Sequence, residues 1–230
     1  MRYIRKASER GHANFGWLNS HHSFSFGRYY DPEHMGISVL RVINDDRVAP
    51  GRGFETHGHK DMEILSYVIE GQLAHKDSTG NSDVIPAGDI QRMTAGRGIM
   101  HSEFNGSDKD EVHFLQIWVL PAQNALTPGY EQKTIQQSGA LTPMVTPDGR
   151  AGTVKVHQDM TLSRLRLSEN ESISIATEKR MGYLHVIKGE ISIDSESFEA
   201  GDGLGVYQDD TLQIHAHDDT EALWFDLPQL

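Results

Sequence analysis

The chain predicts an all-β protein made of two β-barrels of jelly-roll type, and three observations predict it. Turn clusters such as Asp77-Ser78-Thr79-Gly80-Asn81 and Thr146-Pro147-Asp148-Gly149 punctuate short apolar runs, with 22 glycines along the 230 residues. Helical periodicity is scarce; only 132–138 has the pattern for a turn or two of helix. The third observation is a faint internal repeat. Tyr67-Val68-Ile69-Glu70-Gly71, followed by Pro86-Ala87-Gly88-Asp89, recurs as His185-Val186-Ile187-Lys188-Gly189, followed by Glu199-Ala200-Gly201-Asp202.

Taken in order, strands are expected over 38–44, 63–70, 112–120, 162–167, 182–187, 212–216 and 222–226, where β-branched and aromatic residues concentrate between turn signals. In 112–120, Phe114, Gln116, Trp118 and Leu120 share one face, and His113, Leu115, Ile117 and Val119 the other. Each repeat reads as strand, glycine turn, hairpin and Gly-Asp turn into a further strand. The longer interval from Gly71 to Gly88 implies a longer hairpin in the first copy. A duplication places an N-terminal barrel at 1–130 and a C-terminal barrel at 131–230. Chance recurrence of common turn-flanking strings is the competing explanation.

The composition excludes several classes of function. A net charge of −12 with no Lys/Arg cluster argues against nucleic-acid and membrane surfaces. The absence of cysteine removes disulfides, thiolate catalysis and Cys-ligated metal centres. No run of about 18 apolar residues occurs, so a cytoplasmic location is expected.

Two short strings carry chemistry. Thr56-His57-Gly58-His59 and Met100-His101-Ser102-Glu103 each space two ligand-type residues at i, i+2, which puts both on one face of a strand. On neighbouring strands the two pairs would bring three imidazoles and a carboxylate to one point. A lone His-x-His is more often packing than ligation; two such pairs reverse that judgement. Aligning Gly71 with Gly189 places Ile175 and Thr177 opposite His57 and His59, so the second copy lacks half of the set. His215-Ala216-His217 lies near the other half but precedes Asp218-Asp219, as on a solvated edge. Gln116 on a lumen face could orient a substrate or a ligand histidine, or be a buried hydrogen-bonded amide. Gly96 and Gly98 allow a tight bend before His101. His21, His22 and the 24–26 segment read as packing over a barrel mouth; His75, His157 and His185 show no pairing.

Gly51, His57, His59, Glu63 and Gly71 follow the first cupin motif with one extra residue before Gly71, and Gly80, Pro86, Gly88, His101 and Asn105 follow the second with a long interval before His101. Both departures, together with 57–63, 93–103 and the stretch 17–32, resemble the pirins, a branch of the cupins, over nearly the whole chain. The resemblance to bacterial quercetinase-type pirins implies His57, His59, His101 and Glu103 as ligands of one divalent transition metal. It also implies that Glu63 is not a ligand. Iron(II) is the expected ion, with Zn, Mn, Co, Ni and Cu compatible with such N/O ligation.

The activity so implied is a dioxygenase opening the heterocyclic ring of flavonols such as quercetin with release of carbon monoxide. Glu103 would be the catalytic base and the partners a planar phenolic substrate and O2; the duplication, which already supplies two packed barrels, makes a monomer the expectation. The resemblance also admits a non-enzymatic reading, a metal-dependent redox sensor that binds a transcription-factor partner. A third is a zinc or manganese enzyme of proton transfer.

Overall fold

Alternation along residues 112–119 sorts the molecule into layers. Leu115, Ile117 and Val119 enter a core between the two halves, while Phe114 enters the interior of the first half. The structure, a computed structural model, describes residues 2–194, 196–207 and 211–229. The first part of the chain forms β1 (Arg2–Arg5), β2 (Gly11–Asn14), β3 (Leu18–His22), β4 (Leu40–Val48), β5 (Gly53–His59) and β6 (Glu63–Glu70). It continues with β7 (Gln72–Asp77), β8 (Ser82–Pro86), β9 (Asp89–Thr94), β10 (Ile99–Asn105), β11 (Val112–Val119) and β12 (Gly129–Thr134). The second part forms β13 (Leu141–Thr146), β14 (Val154–Lys155), β15 (Thr161–Leu167), β16 (Ser172–Ala176) and β17 (Met181–Lys188). It ends with β18 (Glu190–Ile193), β19 (Glu196–Glu199), β20 (Gly203–Tyr207), β21 (Thr211–Ala216) and β22 (Thr220–Leu227).

These strands make two barrels, each flattened into a seven-stranded and a four-stranded sheet. The first barrel has the orders β12-β9-β6-β11-β4-β3-β2 and β5-β10-β7-β8; the second has β1-β20-β17-β22-β15-β13-β14 and β16-β21-β18-β19. The four-stranded sheets share one strand order, as a duplication requires. The seven-stranded sheets pack back to back through Ile43, Leu65, Leu115 and Ile117 on one side and Leu162, Tyr183, Leu223 and Phe225 on the other. Each such buried side chain contributes about 1.5–3 kcal/mol, so the joint is part of the core.

The strand expected at 63–70 is β6, and the one expected at 38–44 starts later because Ser38 takes φ 51° in a turn. The helical turn expected at 132–138 does not form. Residues 132–134 extend β12, whose backbone pairs with β9, and the free edge of β9 outcompetes an uncapped turn. Helical geometry among the described residues is confined to two 3-10 turns, Ala7–Glu9 and Arg150–Gly152. No helix there is long and apolar enough to cross a membrane. β12 runs through residue 130 and joins the first barrel, while β1 pairs with β20 of the second. We propose that the division lies at 135–140, with β1 belonging to the second barrel.

Candidate metal centre

The two i, i+2 pairs sit on hydrogen-bonded neighbours, β5 and β10. In their register His57 faces His101, Ile99 faces His59 and Glu103 faces Phe54. Two residues of β5, Glu55 and Thr56, stand opposite one of β10, Ser102, a bulge of the kind that re-aims side chains beside a site. The strands also approach closely at Gly53, where a Cβ would stand 2.3 Å from the Glu103 carbonyl oxygen and 2.5 Å from Phe104 Cα. Only glycine fits. Gly96, at φ 49°, makes the bend before β10 against the Leu126 backbone.

The three imidazoles converge. Ring centroids are 4.8 Å apart for His57–His59, 4.5 Å for His57–His101 and 4.9 Å for His59–His101, and one nitrogen of each lies within 4.8 Å of the others. His57 Nδ1–H donates to the Glu55 carbonyl at 2.7 Å, which leaves a lone pair on Nε2, 3.1 Å from His101 Nε2. Burial, then the charge of His57, lowers His59 to about 4. Burial, then His57, His59 and His75, lowers His101 to about 3. Imidazole nitrogens packed this tightly repel one another unless a cation or proton lies among them. His101 Nδ1 is buried without a partner among the described residues. Three imidazoles of this kind fit a borderline divalent ion.

Glu103 stands two residues along the same strand, fully buried. It falls in an overlapping group with His75 and His101, not in the three-histidine group. Ser66 Oγ donates to Oε1 at 3.1 Å and Gln116 Nε2 to Oε2 at 2.6 Å, while Gln116 Oε1 accepts from Trp118 Nε1 at 3.1 Å. Gln116 is thus both lumen-facing and a support for Glu103. Burial raises the Glu103 carboxyl to about 7 against these two hydrogen bonds. Glu63 faces elsewhere: its Oε2 accepts from the His157 backbone N–H at 3.1 Å and from His157 Nδ1–H at 3.2 Å, a bridge between the barrels.

His75 is not ordinary, contrary to the sequence reading. It is buried with its ring 5.4 Å from that of His101, and its Nε2–H donates to Asp77 at 3.1 Å. Burial tends to raise Asp77, yet hydrogen bonds from Thr79, Asn81 and His75 hold it below the usual carboxylate range. The signal was present in His75-Lys76-Asp77, an i, i+2 pair on β7. His157 likewise has a partner in Glu63, whereas Nδ1 of the buried His185 ring has no hydrogen-bond partner among the described residues.

Beside the imidazoles opens a cavity of about 980 Å³, walled by Trp17, Phe26, Phe54 and Trp118 and reaching His57, His59 and Gln116. Trp118 stands edge-on to His59 at 4.9 Å, and Phe26 edge-on to Trp118 at 5.2 Å. Of the N-terminal residues read as packing, His22 and Phe26 line this cavity, whereas Phe24 lies in the core between the barrels.

The second barrel does not place His215 or His217 at the matching positions. The strand pairing there puts Leu212 opposite Ile175 and Ile214 opposite Ile173; His215 meets Ser172 at 2.9 Å on the outer side. The parity of β21 carries these histidines away from the lumen.

The Pirin family model matches residues 3–119, and a model described as the quercetinase C-terminal cupin domain matches residues 144–227. The chain belongs to the pirin family. This pirin is 50% identical over 230 residues to the quercetin 2,3-dioxygenase of Escherichia coli strain K12, across 99% of each chain. Its fold matches the crystal structure of YhhW from Escherichia coli with a TM-score of 0.97 and 48% identity, over 100% of this chain and 99% of that one. A second YhhW structure, in complex with nickel(II), matches at 0.96 with 48% identity and 100% of both chains covered. The pirin also shares its fold with a quercetin 2,3-dioxygenase from Acinetobacter baumannii, at a TM-score of 0.77 and 20% identity over 98% of this chain and 84% of that one.

Proposed function

We propose that this pirin is a metal-dependent dioxygenase that opens the heterocyclic ring of flavonols such as quercetin, consuming O2 and releasing carbon monoxide. One divalent ion would be held by His57, His59, His101 and Glu103, with iron(II) the leading candidate. The observation that carries the reading is the convergence of three imidazoles beside a buried carboxyl at the wall of an aromatic cavity. The YhhW complex with nickel(II) and the Escherichia coli quercetin 2,3-dioxygenase, both near half identical in sequence, support it.

When bound, a divalent ion supplies Lewis acidity and, if redox-active, electron exchange with O2. The protein's own groups do the rest. Glu103 takes the proton of the flavonol 3-hydroxyl, a role suited to a carboxyl that burial raises toward neutrality. Ser66 and Gln116 hold its two oxygens, and the Glu55 carbonyl fixes the tautomer of His57. Trp118, Phe26 and Phe54 offer flat apolar surface for a planar substrate and keep water from it.

Anaerobic reconstitution with each candidate ion, followed by O2 uptake and carbon monoxide release with quercetin, tests the reading. Turnover by wild type and its loss in Glu103→Ala are expected. No uptake with any ion, and indistinguishable wild type and variant, would refute it.

A further inference from the structure

The lumen face of the first seven-stranded sheet carries a polar row. Ser66 on β6 pairs across to Gln116 on β11, Gln116 to Asn44 on β4, and Asn44 to His22 on β3. Ser66 and Gln116 serve Glu103; Asn44 and His22 lie beyond its reach. A second rung sets Asp46 on β4 against Ser20 on β3. All four of these outer residues are buried and line the cavity, beside an apolar cluster that includes Leu18, Val48 and Phe114.

Buried polar groups are costly unless paired, and the pairing here is half complete. His22 Nδ1–H donates to Asn44 Oδ1 at 2.8 Å, and Ser20 donates to one oxygen of Asp46. His22 Nε2, the Asn44 amide nitrogen and the second Asp46 oxygen have no partner among the described residues. His22 Nε2 as an acceptor, the Asn44 amide as a donor and the second Asp46 oxygen, an acceptor when the carboxyl is ionised, thus remain. His22 is two strands from Gln116, about 10 Å at the usual strand spacing, comparable with the length of a three-ring planar molecule.

We propose that Ser20, His22, Asn44 and Asp46 form a subsite for hydroxyl groups on the distal ring of a planar phenolic substrate whose reacting end lies at His57 and His59. The proposal deepens the flavonol reading and rests on it. A phenolic O–H donates to Asp46 or to His22 Nε2, and its oxygen accepts from the Asn44 amide. The intervening rings lie along Phe26, Phe54 and Trp118. A substrate without those hydroxyls leaves the three groups unpaired, the situation in which polar sites discriminate most strongly.

The test compares quercetin with the flavonol lacking both distal-ring hydroxyls. Dissociation constants are measured on zinc-loaded protein, where no redox turnover competes, for wild type, His22→Phe and Asn44→Leu. Wild type should favour quercetin by about tenfold or more, and the ratio should fall toward one in each variant. Circular dichroism and metal content check folding; should Asn44→Leu fail to fold, the near-isosteric His22→Phe decides. No preference in wild type, or an unchanged ratio in the folded variants, overturns the subsite. O2 uptake by iron-loaded wild type with either flavonol separates the two claims. Uptake with a flat ratio removes the subsite and keeps the dioxygenase; a tenfold ratio without uptake does the reverse.

Discussion

His57, His75, His101 and Glu103 of the first barrel have Ile175, Ile193, Leu212 and Ile214 as counterparts in the second. The pairing shows it: His57 faces His101 as Ile175 faces Leu212, and Glu103 faces His75 as Ile214 faces Ile193. Across the other sheet, Gln91, Ser66, Gln116 and Asn44 become Leu204, Leu184, Trp224 and Ser163. Trp224 fills the lumen over Gly182, whose added Cβ would lie 2.1 Å from its ring. The β5 bulge has no equivalent in β16. One backbone plan therefore carries either a filled apolar interior or a set of converging polar groups with a cavity. The side chains at a single level of the barrel, plus one extra residue, make the difference.

The largest effect separates His101 from its counterpart. His101→Ala should abolish metal retention and lower O2 uptake more than about a hundredfold, since even supporting residues of metal sites cost 10–100-fold. Leu212→Ala should keep the metal and lose about 2–5 kcal/mol of stability; elemental analysis and urea titration read the pair. Next come the two residues at the Gln116 level. Trp224→Ala should destabilise by about 3–5 kcal/mol with metal content intact, whereas Gln116→Leu should slow turnover about 10–100-fold through Glu103.

A smaller contrast concerns Asp46, whose counterpart is Leu165 by the same pairing. Burial raises Asp46 from 3.8 to about 7, against its hydrogen bond from Ser20. The folded state then holds a proton that the unfolded chain has released. Its contribution to stability is present below pH 3.8 and is lost as the pH rises to about 7. Unfolding free energies of metal-free protein across that window should fall more steeply in wild type than in Asp46→Asn. An equal slope would contradict the assignment. Smallest of all, His215→Ala with His217→Ala should leave metal content and O2 uptake unchanged, because both lie off the second lumen.

Much of this was legible in the sequence. Period-two spacing put His57 with His59 and His101 with Glu103, and the repeat placed Ile175 against His57. The duplicated plan followed from the Gly-Asp turns. What could not be read was set by contacts distant in sequence. Nothing near Gly53 announces that β10 presses on it, and the four residues of β1 carry no pattern that sends them to β20. His75 gained its meaning only when β7 paired with β10. His215 and His217 have the spacing of a ligand pair, but the parity of β21 points His215 outward, in keeping with the solvated edge that Asp218-Asp219 suggested.

The most direct test of the account is the position of the ion. Crystals of anaerobically iron-loaded protein, measured across the iron absorption edge, should show one anomalous peak per chain, bounded by His57, His59, His101 and Glu103. A peak elsewhere, in the second barrel or on surface histidines, with none among those four side chains, would contradict it.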